Sequence, residues 1–414
     1  MKREKIIKIM DRIVEYSLYG LIFFIPISNA AIEIFVSLAI SAFIAKKILQ
    51  SKFIFRDSSI SSDSLGTSQR QSLLSTHLFL LFFIIFCGLS LINSGCYLQK
   101  SLKALVFKWL EGIFIFLMAV DALSSRQRIR NVVAIFLAVG VLVAVDAFFQ
   151  RFLGIDFLRK RPIMPIREGV YAITGPFKHY NGLAAYLSSV SSLAIALFLA
   201  KTKKMIYRVG LFLLIVLLGL SVLFTLSRGG WLGFLSAGLL MLFLSRKCRV
   251  ILPFICIFIL LAILVPWIRR KAMFTFQAGG DAYRFAIWEG AWKMIKENPF
   301  LGKGLGTFMD YFKQHTSGLG TQYAHNSFLQ IWAEAGIFSL LSFLGFLISL
   351  LYSCIKAFKK SQDFILLGLI CGIFGFLVHS FFDNHLYSLQ LSVLFWFMLG
   401  LAVAIIKLEP DVSL

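Results

Sequence analysis

The feature that most restricts this chain is a succession of apolar segments, each about as long as a bilayer is thick. They lie at about 13–28, 30–49, 77–94, 103–122, 131–150, 181–200, 208–226, 229–245, 250–267, 325–353, 363–382 and 386–406. A hydrocarbon core of about 30 Å takes roughly 20 apolar residues of helix. Of the 414 residues, 59% are hydrophobic and only 15% charged, against about 25% charged in an ordinary soluble domain. A soluble fold of this length has too little interior to hide so much apolar surface. Disorder, collagen and disulfide-stapled scaffolds fall on the same numbers. The expectation is an all-α polytopic membrane protein with about twelve transmembrane helices, residues 1–414 forming a single integral membrane domain. The first segment has no small-residue cleavage site after it and reads as an anchor.

The basic residues orient the bundle. Lys2, Arg3, Lys5, Lys8 and Arg12 precede the first segment, and every second connection is basic: Lys46 to Arg56, Arg126 to Arg130, Lys201 to Arg208, Arg246 to Arg249, and Lys356 to Lys360. By the positive-inside rule these lie in the cytoplasm, with both termini. Two connections on the other side are also basic. One is 151–180, with Arg151, Arg159, Lys160, Arg161, Arg167 and Lys178. The other is 268–324, a large periplasmic loop inserted between the ninth and tenth spans, with Arg269, Arg270, Lys271, Arg284, Lys293, Lys296, Lys303 and Lys313. Long loops cross regardless of charge, so these are either inert exported loops or a positive surface for an anion. The net charge of +22 is partly topology and partly these loops, and nucleic acid is a poor partner for a chain buried in lipid.

The six cysteines (87, 96, 248, 256, 354, 371) are scattered and read as small buried residues, Cys96 alone lying toward the oxidising side. The histidines show no metal-ligand spacing, and no zinc is expected. Residues 57–76 are Ser-rich and read as a flexible linker. No internal repeat is visible, which disfavours a repeat-built transporter.

With this orientation the even-numbered helices begin at the outer face, where free N–H groups and the helix dipole favour anions. Polar residues collect at these starts: Lys178-His179-Tyr180-Asn181, Ser227-Arg228-Gly229-Gly230, His325-Asn326-Ser327 and Asp383-Asn384-His385. Arg228 sits between two long apolar spans. An arginine at the bilayer centre costs at least ~2.5–3.5 kcal/mol, so Arg228 either snorkels to headgroups or grips a phosphate as a bidentate fork. Within 268–324, Phe285, Trp288, Trp292 and Ile295 fall at amphipathic spacing, which predicts a helix lying on the membrane surface. Arg284 stands in its first turn, either exposed or above the cavity as a second diphosphate ligand. Gly302-Lys303-Gly304-Leu305-Gly306 follows no strand and reads as a flexible turn.

His325 opens a long helix whose N-terminus disfavours imidazolium, so it is poised to accept a proton; as a cap or interface histidine it has no catalytic part. Asn326 lies beside it, and Gln330 shares Asn326's face. Glu334, two to three turns into the helix, must be paired or face a cavity. Lys108, inside the fourth span, pairs with Glu111 or meets a phosphate. His379 and Asp383, four apart, either bond to each other or orient groups in the cavity.

Several of these stretches resemble one family. His325-Asn326, nine residues and Gly336 resemble the H-[NSQ]-x9-G signature of O-antigen ligases. Arg284-x-x-x-Trp288 with Pro299-Phe300-Leu301-Gly302-Lys303-Gly304 resembles their preceding loop. Thr225-Leu226-Ser227-Arg228-Gly229-Gly230-Trp231 resembles their arginine turn, and Gly175-Pro176-Phe177-Lys178-His179-Tyr180-Asn181-Gly182-Leu183-Ala184 the segment before their central helices. The matches keep the family's order over about residues 95–400; Ser339 stands where the family often has glycine or tyrosine.

The resemblance implies a GT-C-type membrane glycosyltransferase that takes a glycan from undecaprenyl diphosphate at the periplasmic face and passes it to a sugar hydroxyl of lipid A–core, in lipopolysaccharide biosynthesis. It implies no nucleotide, metal or other cofactor, and a single attack that inverts the anomeric carbon. On that reading His325, Arg228 and Arg284 are catalytic, with His325 the general base or acceptor-positioning group and the arginines on the diphosphate. Lys108, His179, Asn181 and Asn326 bind substrate. O-antigen polymerases and protein O-oligosaccharyl ligases share these motifs and remain alternatives. A solute transporter is the rival of another class, but it calls for ionisable groups near the midplane, whereas here they gather at helix ends.

Overall fold

The computed structural model describes residues 2–54, 67–167, 169–200, 204–266, 268, 269, 282–315 and 323–408. Arg270, Lys271 and residues 57–66 of the Ser-rich segment lie outside them. The chain is almost wholly helical, and all twelve apolar segments are helical over most of their length. In chain order the described α-helices are α1 (Lys2–Phe24), α2 (Asn29–Ile54), α3 (Thr67–Leu89), α4 (Leu98–Ala104), α5 (Glu111–Ala122), α6 (Arg126–Leu153), α7 (Tyr180–Leu199), α8 (Met205–Phe224), α9 (Arg228–Leu244) and α10 (Leu252–Leu264). Then come α11 (Ala282–Glu297), α12 (Phe308–His315), α13 (Ser327–Ser361), α14 (Phe364–Ser380) and α15 (Leu389–Lys407). Among the described residues, seven helical runs are long and apolar enough to cross a membrane, and α9 and α14 are apolar but shorter. Phe243, Leu213, Ile348 and Tyr352 point outward, 60–86% exposed, an apolar exterior that suits lipid and not water. The molecule is a multi-pass membrane protein.

The run Ser75–Ala122 is counted as one span of 48 residues, yet it is two arms. Gly95 breaks it with φ 54° and ψ −128°, and Phe83 and Trp109 bring their rings to 5.1 Å. On a straight helix those residues would lie about 39 Å apart. Residues 67–76, expected as linker, are instead the first turns of α3.

The centre of the bundle is α15, buried almost along its whole length and packed chiefly against α5, α14 and α13. α13 lies along α3, and α14 lies against α7 and α9. The α9–α14 approach depends on missing side chains: a Cβ on Gly233 would stand 2.6 Å from the Gly375 carbonyl oxygen. That closeness sets the N-terminus of α9, and so Arg228, beside the C-terminus of α14.

The second basic loop is a built structure. α13 breaks at Gly336 (φ 82°, ψ 173°), and segment 299–304 fills the break. Ile337 N–H donates to the Pro299 carbonyl at 2.9 Å, Lys303 N–H to Ala333 at 3.0 Å and Gly304 N–H to Glu334 at 2.9 Å. A Cβ on Gly336 would fall 2.0 Å from the Phe300 carbonyl oxygen. The glycine-rich stretch is therefore clamped, not a flexible turn. α11 buries Ile287, Ala291, Met294 and Ile295 against Phe308, Phe312 and Ala333, leaving Phe285 and Trp292 outward. It docks on α12 and α13 through that buried face. Segment 151–180 adds a two-stranded antiparallel hairpin, Met164–Arg167 with Val170–Ala172, in an otherwise helical chain.

Candidate active site

Three helix starts and one helix end meet at one end of the bundle. α7, α9 and α13 begin there, and α14 ends there, followed by the turn that leads into α15. Two of the starts are strained: Leu226 and His325 hold left-handed backbone, with φ 53° and 49°, at about 1–3 kcal/mol each. Ser227 then caps α9, its Oγ accepting from Gly230 N–H at 3.1 Å. Asn326 caps α13, its Oδ1 accepting from the N–H groups of Phe328 and Leu329, both at 3.0 Å.

Asp383 is the hub. Its Oδ1 lies 3.1 Å from His325 Nδ1 and accepts from its neighbour's N–H, Asn384, at 2.8 Å. Its Oδ2 accepts from the Asn181 amide. Ser327 Oγ donates to the Asp383 carbonyl at 3.0 Å. Burial alone would raise the Asp383 carboxyl, but the hydrogen bond from His325 and the imidazoles of His385, His325 and His379 hold it well below the usual carboxylate range. An ionised carboxylate only accepts, so His325 donates its Nδ1–H to Asp383. The His325 side chain stays 33% exposed, open to a reactant.

A second layer holds this pair. Ser227 Oγ donates to Asn181 Oδ1 at 2.7 Å and lies 3.3 Å from His379 Nε2. With its proton given to Asn181, Ser227 accepts from His379; His379 Nδ1 then has no partner among the described residues. His385 packs its ring edge-on to His379 at 4.1 Å. Burial pushes His385 down to about 4, against the pull of Asp383 and with a further push from His179. Deeper, the Gln330 carbonyl oxygen accepts from Ala324 N–H at 3.1 Å and from the Asn384 amide, and its own amide donates to Glu334 at 2.9 Å. Glu334 also accepts from the N–H groups of Gly306 and Phe308. The glutamate inside α13 is thus paired, and it anchors α12.

The arginines converge on Tyr180. Both Arg228, the first residue of α9, and Arg284 act electrostatically on the Tyr180 phenol, as does Asp383, and Arg284 also acts on His379. Trp288, one turn beyond Arg284, sets α11 in place: its indole N–H donates to the Ala324 carbonyl at 3.0 Å and its ring meets Phe381 at 6.2 Å. Arg228, Arg284 and Asp383, the partner of His325, therefore all act on the surroundings of Tyr180.

The residues singled out from sequence divide into three groups. His325, Arg228 and Arg284 come together. His179, Asn181 and Asn326 are in the same region as supports: His179 caps α7, Asn181 holds Asp383, and Asn326 caps α13. Lys108 is elsewhere. It sits in a π-helical turn, Leu105–Leu110, with Nζ 5.4 Å from the centre of the Tyr387 ring, where Glu111 was one expected partner. The structure adds Asp383 as the partner of His325, and Ser227, His385 and Gln330 behind it. Asp383-Asn384-His385 stood out in the sequence as a polar helix start, but nothing in the spacing tied it to His325.

Residues 213–344 match the family model described as O-antigen ligase, a stretch that includes Arg228, Arg284, His325, Gln330 and Glu334. An O-antigen ligase of Salmonella typhimurium is 31% identical over 143 residues, 29% of this chain and 34% of that protein. The chain thus aligns with about a third of that relative's length.

Proposed function

We propose that this chain, whose residues 213–344 match the O-antigen ligase family model, is a member of that family and transfers a glycan from undecaprenyl diphosphate to a sugar hydroxyl of lipid A–core. We place the reaction at the periplasmic face of the inner membrane, on a GT-C-type bundle of twelve crossings with both termini in the cytoplasm. The basic connections at the opposite end of the bundle support that orientation.

The observation that carries the reading is the His325–Asp383 pair beside two arginines. The sugar–phosphate bond of the donor is already activated, and the site must hold the diphosphate, meet its growing charge and align the acceptor. Arg228 and Arg284 hold the diphosphate. His325 Nε2 takes the proton from the acceptor hydroxyl while the oxygen attacks the anomeric carbon. The bond to phosphate breaks with its electron pair on the departing diphosphate, and the configuration inverts. Asp383, ionised, offsets the imidazolium as it forms. Asn181, Ser227 and Asn384 keep Asp383 in place.

The test is glycan transfer by purified protein from undecaprenyl-diphosphate glycan, with lipid A–core supplied or withheld. Product only with lipid A–core is expected. Chain extension without it would make the protein a polymerase, transfer to protein an oligosaccharyl ligase, and no transfer to any acceptor would overturn the reading. Arg228→Lys and Arg284→Lys keep the charge and lose the bidentate fork. A hydrogen bond to a charged group is worth about 1.5–3 kcal/mol, so kcat/KM for the donor is expected to fall about 10- to 150-fold in each.

A further inference from the structure

The turn His385–Tyr387 has two working faces. His385 lies against His379 on the side of the Asp–His pair. Tyr387, two residues on, lines a cleft of about 400 Å³ on the other side, with Lys103, Lys108, Glu111 and Gly306. This cleft continues into a second of about 520 Å³, sharing Glu33, Phe107, Glu111 and Leu389. Together they run between α2, the Lys103–Phe114 stretch and the start of α15.

The lining is graded. Lys100, Lys103 and Lys108 stand at one end, Lys100 paired with Asp310 at 2.5 Å. The uncapped first turn of α15, at Ser388 and Leu389, faces the same space. Val106, Leu110, Phe114, Val36 and Ile40 line the other end. Between them are Glu33 and Glu111, and Glu111 Oε1 has no hydrogen-bond partner among the described residues. Lysines and helix N–H groups suit phosphate; carboxylates accept from sugar hydroxyls; the apolar end suits acyl chains. A simple anionic phospholipid would use the cations and leave the two glutamates opposed. A phosphorylated glycolipid uses both.

We propose that this cleft is the entry and docking site of the acceptor, a phosphorylated glycolipid. Its acyl chains lie between α2 and α5, its phosphate meets Lys103 and Lys108, and its sugars meet Glu33 and Glu111. The inference rests on the glycan-transfer reading. Two lipid-anchored reactants can leave the bilayer only sideways into the protein, and the two faces of one short turn give each its own approach. Lys108 is then an acceptor ligand and not a third cation for the donor.

The full-length protein in phosphatidylcholine nanodiscs tests this, with bis-phosphorylated lipid A, its dephosphorylated form and phosphatidylglycerol as probes. Lys103→Gln with Lys108→Gln removes the phosphate contacts. Because Lys108 also acts on buried Glu334, Ser37→Trp is the second variant: Ser37 is an exposed cleft residue and its replacement fills the acyl end. Wild type is expected to bind phosphorylated lipid A at least 10-fold more tightly than either control. Both variants should raise the Kd for lipid A and the acceptor KM by 10-fold or more and leave the donor KM within twofold. Equal binding of phosphatidylglycerol, or unchanged acceptor KM in a wild-type background that transfers glycan, would overturn the cleft and spare the transfer reading. Selective lipid A binding that the variants abolish, in a wild-type protein that transfers nothing, would uphold the cleft and overturn transfer.

Discussion

The two ends of the bundle differ in what their buried carboxylates bond. At the end away from His325, cations and carboxylates are matched. Lys46 bonds Asp11 and, at 2.6 Å, Asp121. Arg128 bonds Asp11 at 2.8 Å and Glu15 at 2.9 Å. Arg126 bonds Asp363. This lattice ties α1, α2, α5, α6 and α14 together. At the other end the carboxylate of Asp383 bonds a histidine, an asparagine side chain and a backbone N–H, while two arginines gather nearby. One end ties its charges together across helices; the other has ion pairs in its loops, Lys100–Asp310 and Lys303–Glu297, but keeps the Asp383 carboxylate for an imidazole. A bundle needs the first to hold its helices and the second to meet an anionic reactant.

The sharpest way to break this comparison is to remove the Asp–His pair. General-base help is worth about 10²–10⁴-fold, so His325→Ala and Asp383→Asn are each expected to lower kcat by that order. Asp383→Asn keeps the shape of the side chain but can no longer balance an imidazolium. Turnover in steady-state transfer assays would be measured beside thermal midpoints in detergent. Wild-type kcat in either variant would return the pair to a structural role.

The opposite end should behave in reverse. Lys46 is 7% exposed and serves two carboxylates. Lys46→Ala removes the cation the two share, while Asp11 keeps Arg128 and Asp121 keeps Lys47, so the thermal midpoint is expected to fall while turnover per folded molecule is kept. A stable variant with lost activity would mean that the two ends are coupled and that the division is false.

Much of this was legible in the residues. Long apolar runs announce helices because lipid leaves the backbone no other partner, and Arg228 and His325 stand out because polar groups between apolar runs must have a reason to be there. What spacing could not reveal were contacts across the chain. Asp383 and His325 are 58 residues apart, and the four-residue interval pointed to His379 instead. That interval counts only on a continuous helix, and α14 ends at Ser380. Lys108 misled for a related reason. One extra residue in its π turn rotates the following side chains by about 100°, so the Glu111 pair, one of the two readings that helical counting left open, gives way to Lys108 over the Tyr387 ring. The stretch 302–306 read as a flexible turn because the partner of its first residues, the break at Gly336, is visible only in three dimensions.

The smallest effect separates the ends by pH. Burial lowers His385 to about 4, from an ordinary value near 6.5. As pH falls below about 6.5 the unfolded chain takes up a proton at this residue that the folded chain refuses until about 4. Stability from this group is therefore full above about 6.5 and is lost toward 4, by about 1.4 kcal/mol per unit. Asp383 acts in a different window. Held below the usual carboxylate range, its contribution is present above about 3.9 and is lost only under stronger acid, so it is constant over this interval. Between pH 7.5 and 4.5 the thermal midpoint of His385→Asn should fall less than that of wild type. The salt-bridged end supplies the control: Lys46→Ala should lower the midpoint at every pH and leave the slope as it was. Parallel curves for wild type and His385→Asn would mean that His385 takes up its proton in the folded protein as readily as in the unfolded chain, and that the histidine layer behind Asp383 is wetter than its packing against His379 implies.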